Sequence, residues 1–348
     1  MTRTRLPPLS LYVHLPWCVR KCPYCDFNSY EAKGPAPERE YVDALLRDLE
    51  AELPLVQDRP LESIFFGGGT PSLFRPESVA RLIEGIEARI PSRADLEITL
   101  EANPGAVDAE RFEGFRAAGV NRLSIGVQSF RDDRLSSLGR VHGAEEARRA
   151  VELARRAGFR NLNLDLMYGL PEDDVEGALF DLESALALEP EHVSWYQLTL
   201  EPNTAFHRKP PALPAEETVA AIEDRGRALL ERRGYTRYEI SAYAKEGARC
   251  RHNLNYWQFG DYLGIGAGAH GKATIGGECL RIVRRAKTRN PRTYAALAGS
   301  EAAVAIEAVD SPDQLVLEYV MGALRLTDGV TVEAFSARTG QPAGRLAA

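Results

Sequence analysis

The chain has 348 residues, 44% of them hydrophobic, with 50 acidic and 43 basic side chains and a net charge of −7. That length supports a large buried core, expected as one big domain plus a smaller appendage, and the negative balance argues against a general affinity for nucleic acid. No apolar run approaches the roughly 18–20 residues of a membrane span, and Arg3 and Arg5 precede only a short apolar stretch broken by His14, so neither a span nor a secretory signal is expected.

Taken in chain order, residues 11–15 form a short apolar strand, after which Tyr41, Val42, Leu45, Leu46, Leu49 and Leu53 recur at helical spacing. Residues 63–66 are β-prone and stop at three glycines, and a helix is predicted over 78–90. A strand at 96–100 leads to a helix at 110–118 that Gly119 ends, and a strand at 123–127 to a helix at 144–157 that Gly158 stops. A strand at 162–167, a helix at 177–188 and a strand at 193–200 complete the series. Helices between successive strands force parallel pairing, because a parallel connection needs a crossover. Six such units predict an α/β fold, a partial (β/α)6 barrel over residues 1–210. The first strand is followed by no G-x-G-x-x-G fingerprint, which argues against a doubly wound sheet. Pro210, Pro211 and Pro214 mark a boundary, and residues 211–348 read as a smaller α+β region. It opens with a helix over 216–233, continues through irregular segments rich in glycine and aromatics, and has a helix around 314–324.

Five cysteines, three of them within eight residues, suit a reducing cytosol better than a disulfide scaffold, and the expected location is cytoplasmic. Cys18, Cys22 and Cys25 form C-x3-C-x2-C directly after the first strand. Three thiolates on one loop can hold three irons of a [4Fe–4S] cubane and leave the fourth iron for a small chelator. S-adenosylmethionine fits that position through its amino and carboxylate groups, and its cleavage to a radical is the cofactor's own chemistry. Zinc is the competing reading, but it wants four ligands and no second pair is spaced to complete the set.

Ligand residues of such a barrel gather at the C-terminal ends of its strands. There lie Gly67, Gly68, Gly69, Thr70 and Pro71, then Glu101, Gln128, Asp165, and finally Tyr196 and Gln197. Taken singly they are turns and caps; taken together they read as one cofactor face.

The segments 9–18, 67–72, 126–130 and 165–171 resemble the coproporphyrinogen dehydrogenase-like (HemN-like) branch of the radical S-adenosylmethionine superfamily, and most of all its haem chaperone group. The resemblance implies that Tyr12 and Tyr24 contact S-adenosylmethionine, Tyr24 packing on the adenine. It implies that Gly68, Gly69 and Thr70 meet the methionine amino group, and that Glu101, Gln128, Arg140 and Asp165 make polar contacts to the cofactor. A structural ion pair of Arg140 with Glu101 or Asp165 is the alternative.

Two features separate the functions. The dehydrogenase motif carries a fourth cysteine two residues after the third, whereas Asp26 and Phe27 follow Cys25 here. Further on, His252-Asn253-x-x-Tyr256 resembles the haem-binding signature of the chaperone group. His252 offers an imidazole to iron, Asn253 an orienting amide, and Tyr256 and Trp257 flat apolar surface; Cys250 is the rival ligand. The expected function is a haem chaperone without catalytic residues of its own; the alternative is an oxygen-independent coproporphyrinogen oxidase, with a tailoring enzyme third. Its expected partners are haem, a haem-acceptor protein, membrane-associated or not, and an electron donor for the cluster. The group carries a further winged-helix-like segment that the resemblance expects to be cut short at Ala348. The cations Arg281, Arg284, Arg285, Lys287, Arg289 and Arg292 read as a solvated face, or as a site for an acidic ligand or partner.

Overall fold

The computed structural model describes residues 6–277 and 280–346, so Arg3, Arg5 and Cys279 lie outside the described residues. Six strands, β1 (Leu9–Leu15), β2 (Leu61–Gly68), β3 (Ser92–Ala102), β4 (Arg122–Gln128), β5 (Leu162–Tyr168) and β6 (His192–Gln197), pair in parallel in sequence order. The helices Glu38–Glu52, Pro76–Glu87, Ala109–Ala117, Ala144–Arg156 and Val175–Leu186 are the crossovers. Each forms where expected, with ends within a few residues, because local signals set them. Asp108 and Asp174 accept from the N–H groups of Arg111 and Gly177 at two helix starts. One core runs through the barrel, with Leu11, Val13, Ile64, Phe66, Leu100, Ile125, Leu164 and Val193 buried in it. Strands covered on both faces read as continuous apolar runs, which is why their sequences barely alternate. No helix among the described residues is long and apolar enough to cross a membrane.

After the helix Glu216–Arg232, the segment expected to be irregular carries six strands. It supplies β7 (Thr236–Glu239), β8 (Ala242–Ala244), β9 (Asp261–Ile265), β10 (His270–Ile275), β11 (Arg281–Lys287) and β12 (Val304–Val309). The β8 strand pairs antiparallel with β6, and β9 pairs in parallel with β1, so the region after residue 210 extends both edges of one twelve-stranded sheet. The parallel set therefore has seven strands; Asp261-Tyr262-Leu263-Gly264-Ile265 is short, glycine-bearing and far in sequence from its partner, so periodicity does not flag it. Helices Pro312–Ala323 and Val332–Thr339 close a small second core around Phe259, Ile282, Leu315, Tyr319 and Phe335.

The basic stretch is only partly a solvated face. Lys287 is buried, its Nζ 2.6 Å from both Asp48 and Glu52; Arg285 pairs with Glu52 and Glu307, and Arg284 with Asp310 and Glu318. The pairs with Asp48 and Glu52 tie β11 to the helix Glu38–Glu52, and a buried cation needs such partners.

Candidate cofactor site

The cysteine loop leaves β1 at Leu15, and a two-residue parallel ladder, Trp17 to Tyr30 and Cys18 to Glu31, holds its two stems together. Inside it the Cys25 N–H donates to the Cys22 carbonyl at 3.2 Å, a tight turn that turns the three thiols toward one cavity. That cavity, ≈ 450 Å³, is lined by Cys18, Cys22, Cys25 and Tyr24, by Gly68, Gly69 and Thr70, and by Glu101, Gln128, Arg140 and Asp165. Its size falls within the roughly 300–1,000 Å³ of small-molecule sites. Residues separated by up to 147 positions thus meet at the C-terminal ends of β2 to β5.

The electrostatics of the cavity come from burial. Burial pushes the Cys18 and Cys25 thiols up, while hydrogen bonding from Thr70 on Cys18 and from Phe27 and Ser29 on Cys25 pulls the other way. The Arg140 guanidinium stands 3.7 Å from Cys22 Sγ and 3.5 Å from the Tyr24 hydroxyl, and donates to the Gly126 carbonyl at 2.7 Å. Arg140 therefore has no ion pair with Glu101 or Asp165; its guanidinium faces the Cys22 sulfur instead. Its Nε finds no partner among the described residues. Glu101, raised to about 8 by burial and by Asp165, accepts from the Gly68 N–H at 3.2 Å. Asp165 is also pushed up by burial, and is held by Ser124 at 2.9 Å and Asn163 at 2.8 Å. Gln128 adopts φ 69°, a conformation uncommon outside glycine, at a break in the register between β4 and β5. Its Oε1 accepts from the Tyr196 hydroxyl at 2.9 Å.

The glycines need a corrected account. Gly68 has φ 116°, and a Cβ there would stand 2.6 Å from the His14 ring; a Cβ on Gly69 would stand 2.6 Å from the Trp17 carbonyl oxygen. The positive φ and the His14 ring already require Gly68, and close approach to the cysteine-loop stem requires Gly69, whatever ligand they also meet. Sequence reading missed Ser124 and Ser194, which line the same cavity. The period of two through Ser124, Gly126 and Gln128 is the signal that could have found the first.

Three expected residues do not line this cavity. Tyr12 points into the barrel interior, its hydroxyl 3.0 Å from His14 Nδ1. His252 sits on the short helix Arg251–Trp257, which closes the N-terminal end of the barrel. Its Nδ1 is 3.0 Å from the Ser63 hydroxyl and its ring lies 5.0 Å from Phe65 and 6.4 Å from Tyr12. Burial lowers its pKa to about 3, so the imidazole is neutral. Tyr256 is 47% exposed on the same helix, with its ring against Trp257 and Tyr262. Cys250 is fully buried, its thiol donates toward Glu97, and burial pushes it up to about 12, which disfavours it as an iron ligand.

The three thiols line the cavity without closing into a three-ligand cage. The donor set nevertheless fits a cluster: three soft thiols, no carboxylate or imidazole between them, a guanidinium beside one sulfur, and open volume on the far side. Residues 12–182 match the family model "Radical SAM superfamily". Over 336 residues the chain is 52% identical to "Heme chaperone HemW" of Escherichia coli, covering 97% of this chain and 87% of that protein. The protein of the same name from Haemophilus influenzae is 51% identical over 340 residues, with the same coverage. The chain belongs to the HemW family. HemW proteins thus belong to the radical S-adenosylmethionine superfamily, which brings with it a [4Fe–4S] cluster and S-adenosylmethionine. The HemW fold is in turn that of coproporphyrinogen III oxidase (HemN) of Escherichia coli: the TM-score is 0.82 at 24% identity, over 99% of this chain and 81% of that one.

Proposed function

We propose that this protein is a cytoplasmic haem chaperone that carries a [4Fe–4S] cluster on Cys18, Cys22 and Cys25, binds exchangeable S-adenosylmethionine beside it, and takes haem at the His252 segment for delivery to an acceptor protein. The observation that carries this reading is the 52% identity to a named haem chaperone over 97% of the chain. Phe27 at the position of the dehydrogenase's fourth cysteine points the same way. In this reading residues 1–210 house the cluster and S-adenosylmethionine, while residues 211–348 bring the haem segment. When bound, the cluster supplies an electron and an open coordination position. Thr70, Glu101, Gln128, Arg140 and Asp165 orient the molecule that occupies the cavity, and Tyr24 packs against it. The neutral His252 imidazole suits haem iron, and the half-exposed Tyr256 offers a first apolar contact for the porphyrin. Ligation requires the seven-residue helix Arg251–Trp257 to shift from β2, because His252 now faces Ser63. The oxidase reading rests on shared fold, which does not fix function.

Anaerobic reconstitution followed by haem titration, in parallel with a coproporphyrinogen turnover assay, tests the choice. Stoichiometric haem binding without turnover is expected; robust decarboxylation would overturn the chaperone reading.

A further inference from the structure

The barrel interior holds polar groups that neither the apolar core nor the cofactor cavity uses. Such interiors are ordinarily filled by branched apolar side chains. Here Glu97, Arg122, Asn163 and His192 are buried on β3 to β6, with Tyr238 of β7 buried beside them. Three of these groups join into one hydrogen-bonded line. Asn163 donates from Nδ2 to Asp165 at 2.8 Å, and its Oδ1 lies 2.6 Å from His192 Nδ1. An amide oxygen only accepts, so Nδ1 carries the His192 proton. Burial, with Arg122 nearby, drives the pKa of His192 well below its ordinary value, so the ring is neutral and Nε2 keeps a lone pair. Nε2 therefore accepts from the Tyr238 hydroxyl at 2.7 Å, and the Tyr238 oxygen accepts from the Cys250 N–H at 3.3 Å. Every donor points toward Asp165. The line thus runs from the cofactor cavity to Cys250, which caps the start of the helix Arg251–Trp257. Glu97 holds the same helix start through the N–H groups of Arg251 and His252, and the buried Arg122 lies within electrostatic reach of Glu97, Cys250, Tyr238 and Asp165.

Hydrogen bonds in such a line polarise one another. A molecule in the cavity that donates to Asp165 competes with Asn163 for the carboxylate and weakens each bond behind it. We propose that Asn163, His192 and Tyr238 are positioning residues that couple the two ends of the barrel. S-adenosylmethionine, whose hydroxyls and ammonium are donors, engages Asp165, eases the opening of the helix that carries His252, and so raises the affinity for haem. The inference rests on the functional reading given above, which puts the two ligands at these two ends. The element with two arrangements is the helix Arg251–Trp257, closed on Ser63 or opened for haem, and a ligand shifts it only by acting differently on the two. Coupling between binding sites is reciprocal, so haem tightens S-adenosylmethionine by the same factor.

The test titrates haem into the anaerobically reconstituted full chain, without reductant, with and without saturating S-adenosylmethionine, and follows the Soret band. Iron content is read first. Tyr238→Phe removes the hydroxyl between His192 and Cys250, and His192→Asn keeps a donor toward Asn163 while cutting the same link from the other side. Tyr235→Phe is the control, since it removes a buried hydroxyl that donates to the Pro190 carbonyl, outside the line. In the wild type S-adenosylmethionine is expected to tighten haem about fivefold or more. Both relay variants are expected to bind haem alone at least as tightly as the wild type does with S-adenosylmethionine, and to gain nothing further from it; the control keeps the wild-type response. Relay variants that bind haem more weakly than the wild type would have a merely structural role, which overturns the assignment. A wild type that holds no iron or no haem overturns the functional reading and this one with it. An iron-loaded, haem-binding wild type that ignores S-adenosylmethionine overturns this one alone, as does a response that survives in either iron-loaded relay variant or is lost in the control as well.

Discussion

At the C-terminal end of the parallel strands, the cysteine cavity leaves Glu101, Asp165, Arg140 and three thiols facing open volume. At the N-terminal end several polar groups of the helix Arg251–Trp257 are engaged: Glu97 accepts from the N–H groups of Arg251 and His252, Ser63 holds the His252 ring, and Asn255 donates to Ser10 and the Asp261 carbonyl. One end is shaped for a small molecule before it arrives. The other is closed, and a ligand there must first displace contacts, which lowers its apparent affinity by the cost of opening. A chaperone that must release haem gains from that arrangement.

The largest effect expected from breaking this contrast is on iron. Cys18→Ala, Cys22→Ala or Cys25→Ala removes the visible absorbance and the content of about four irons, whereas Cys250→Ala, at the closed end, keeps both. Iron analysis after anaerobic reconstitution decides it, and loss of iron in Cys250→Ala would erase the distinction between the ends.

Next in size is the haem spectrum. His252→Ala shifts or removes the Soret band and leaves the iron–sulfur absorbance intact, because the two sites lie at opposite ends of the barrel. Tyr256→Ala keeps the axial ligand but weakens haem by about tenfold, as expected for lost apolar contact at roughly 25 cal/mol per Å². An unaltered haem spectrum in His252→Ala moves the ligand elsewhere.

The cofactor face is sharpened by comparing two substitutions. Gly68→Val destabilises the protein by about 1–3 kcal/mol before any ligand is added, read as a lower melting temperature, since φ 116° and the His14 ring both oppose a branched side chain. Thr70→Val removes the hydroxyl, and with it the hydrogen bond to Cys18, so calorimetry finds weaker S-adenosylmethionine binding while iron content, read separately, reports on the cluster. Equal affinity for wild type and Thr70→Val would remove Thr70 from the site.

The smallest effect is on pH dependence. Glu101 keeps its proton to about pH 8 in the folded chain but releases it near about 4.3 when unfolded. The folded state binds more protons across that window, so stability falls as pH rises from about 4.3 to about 8. Urea titrations of the cofactor-free protein should show this fall, and Glu101→Gln should flatten it. An identical slope in the variant would assign the dependence to another group.

The sequence by itself determined the parallel barrel, the family and the cysteine loop. Crossover helices start and stop on local signals such as Asp108, Asp174, Gly119 and Gly158, and three thiols within eight residues state their chemistry without a fold. Most of the residues that line the cysteine cavity were legible too, because strand ends in such a barrel converge on one side. Tertiary structure alone decided what depends on distant partners. Asp261–Ile265 becomes a seventh parallel strand only because β1 lies free beside it, and Lys287 is buried only because Asp48 and Glu52 meet it from another helix. Arg140 turns to Cys22 and not to a carboxylate, and His252 turns inward to Ser63. Spacing along a chain fixes which face of an element a side chain occupies; which residues stand opposite is fixed only when the elements pack.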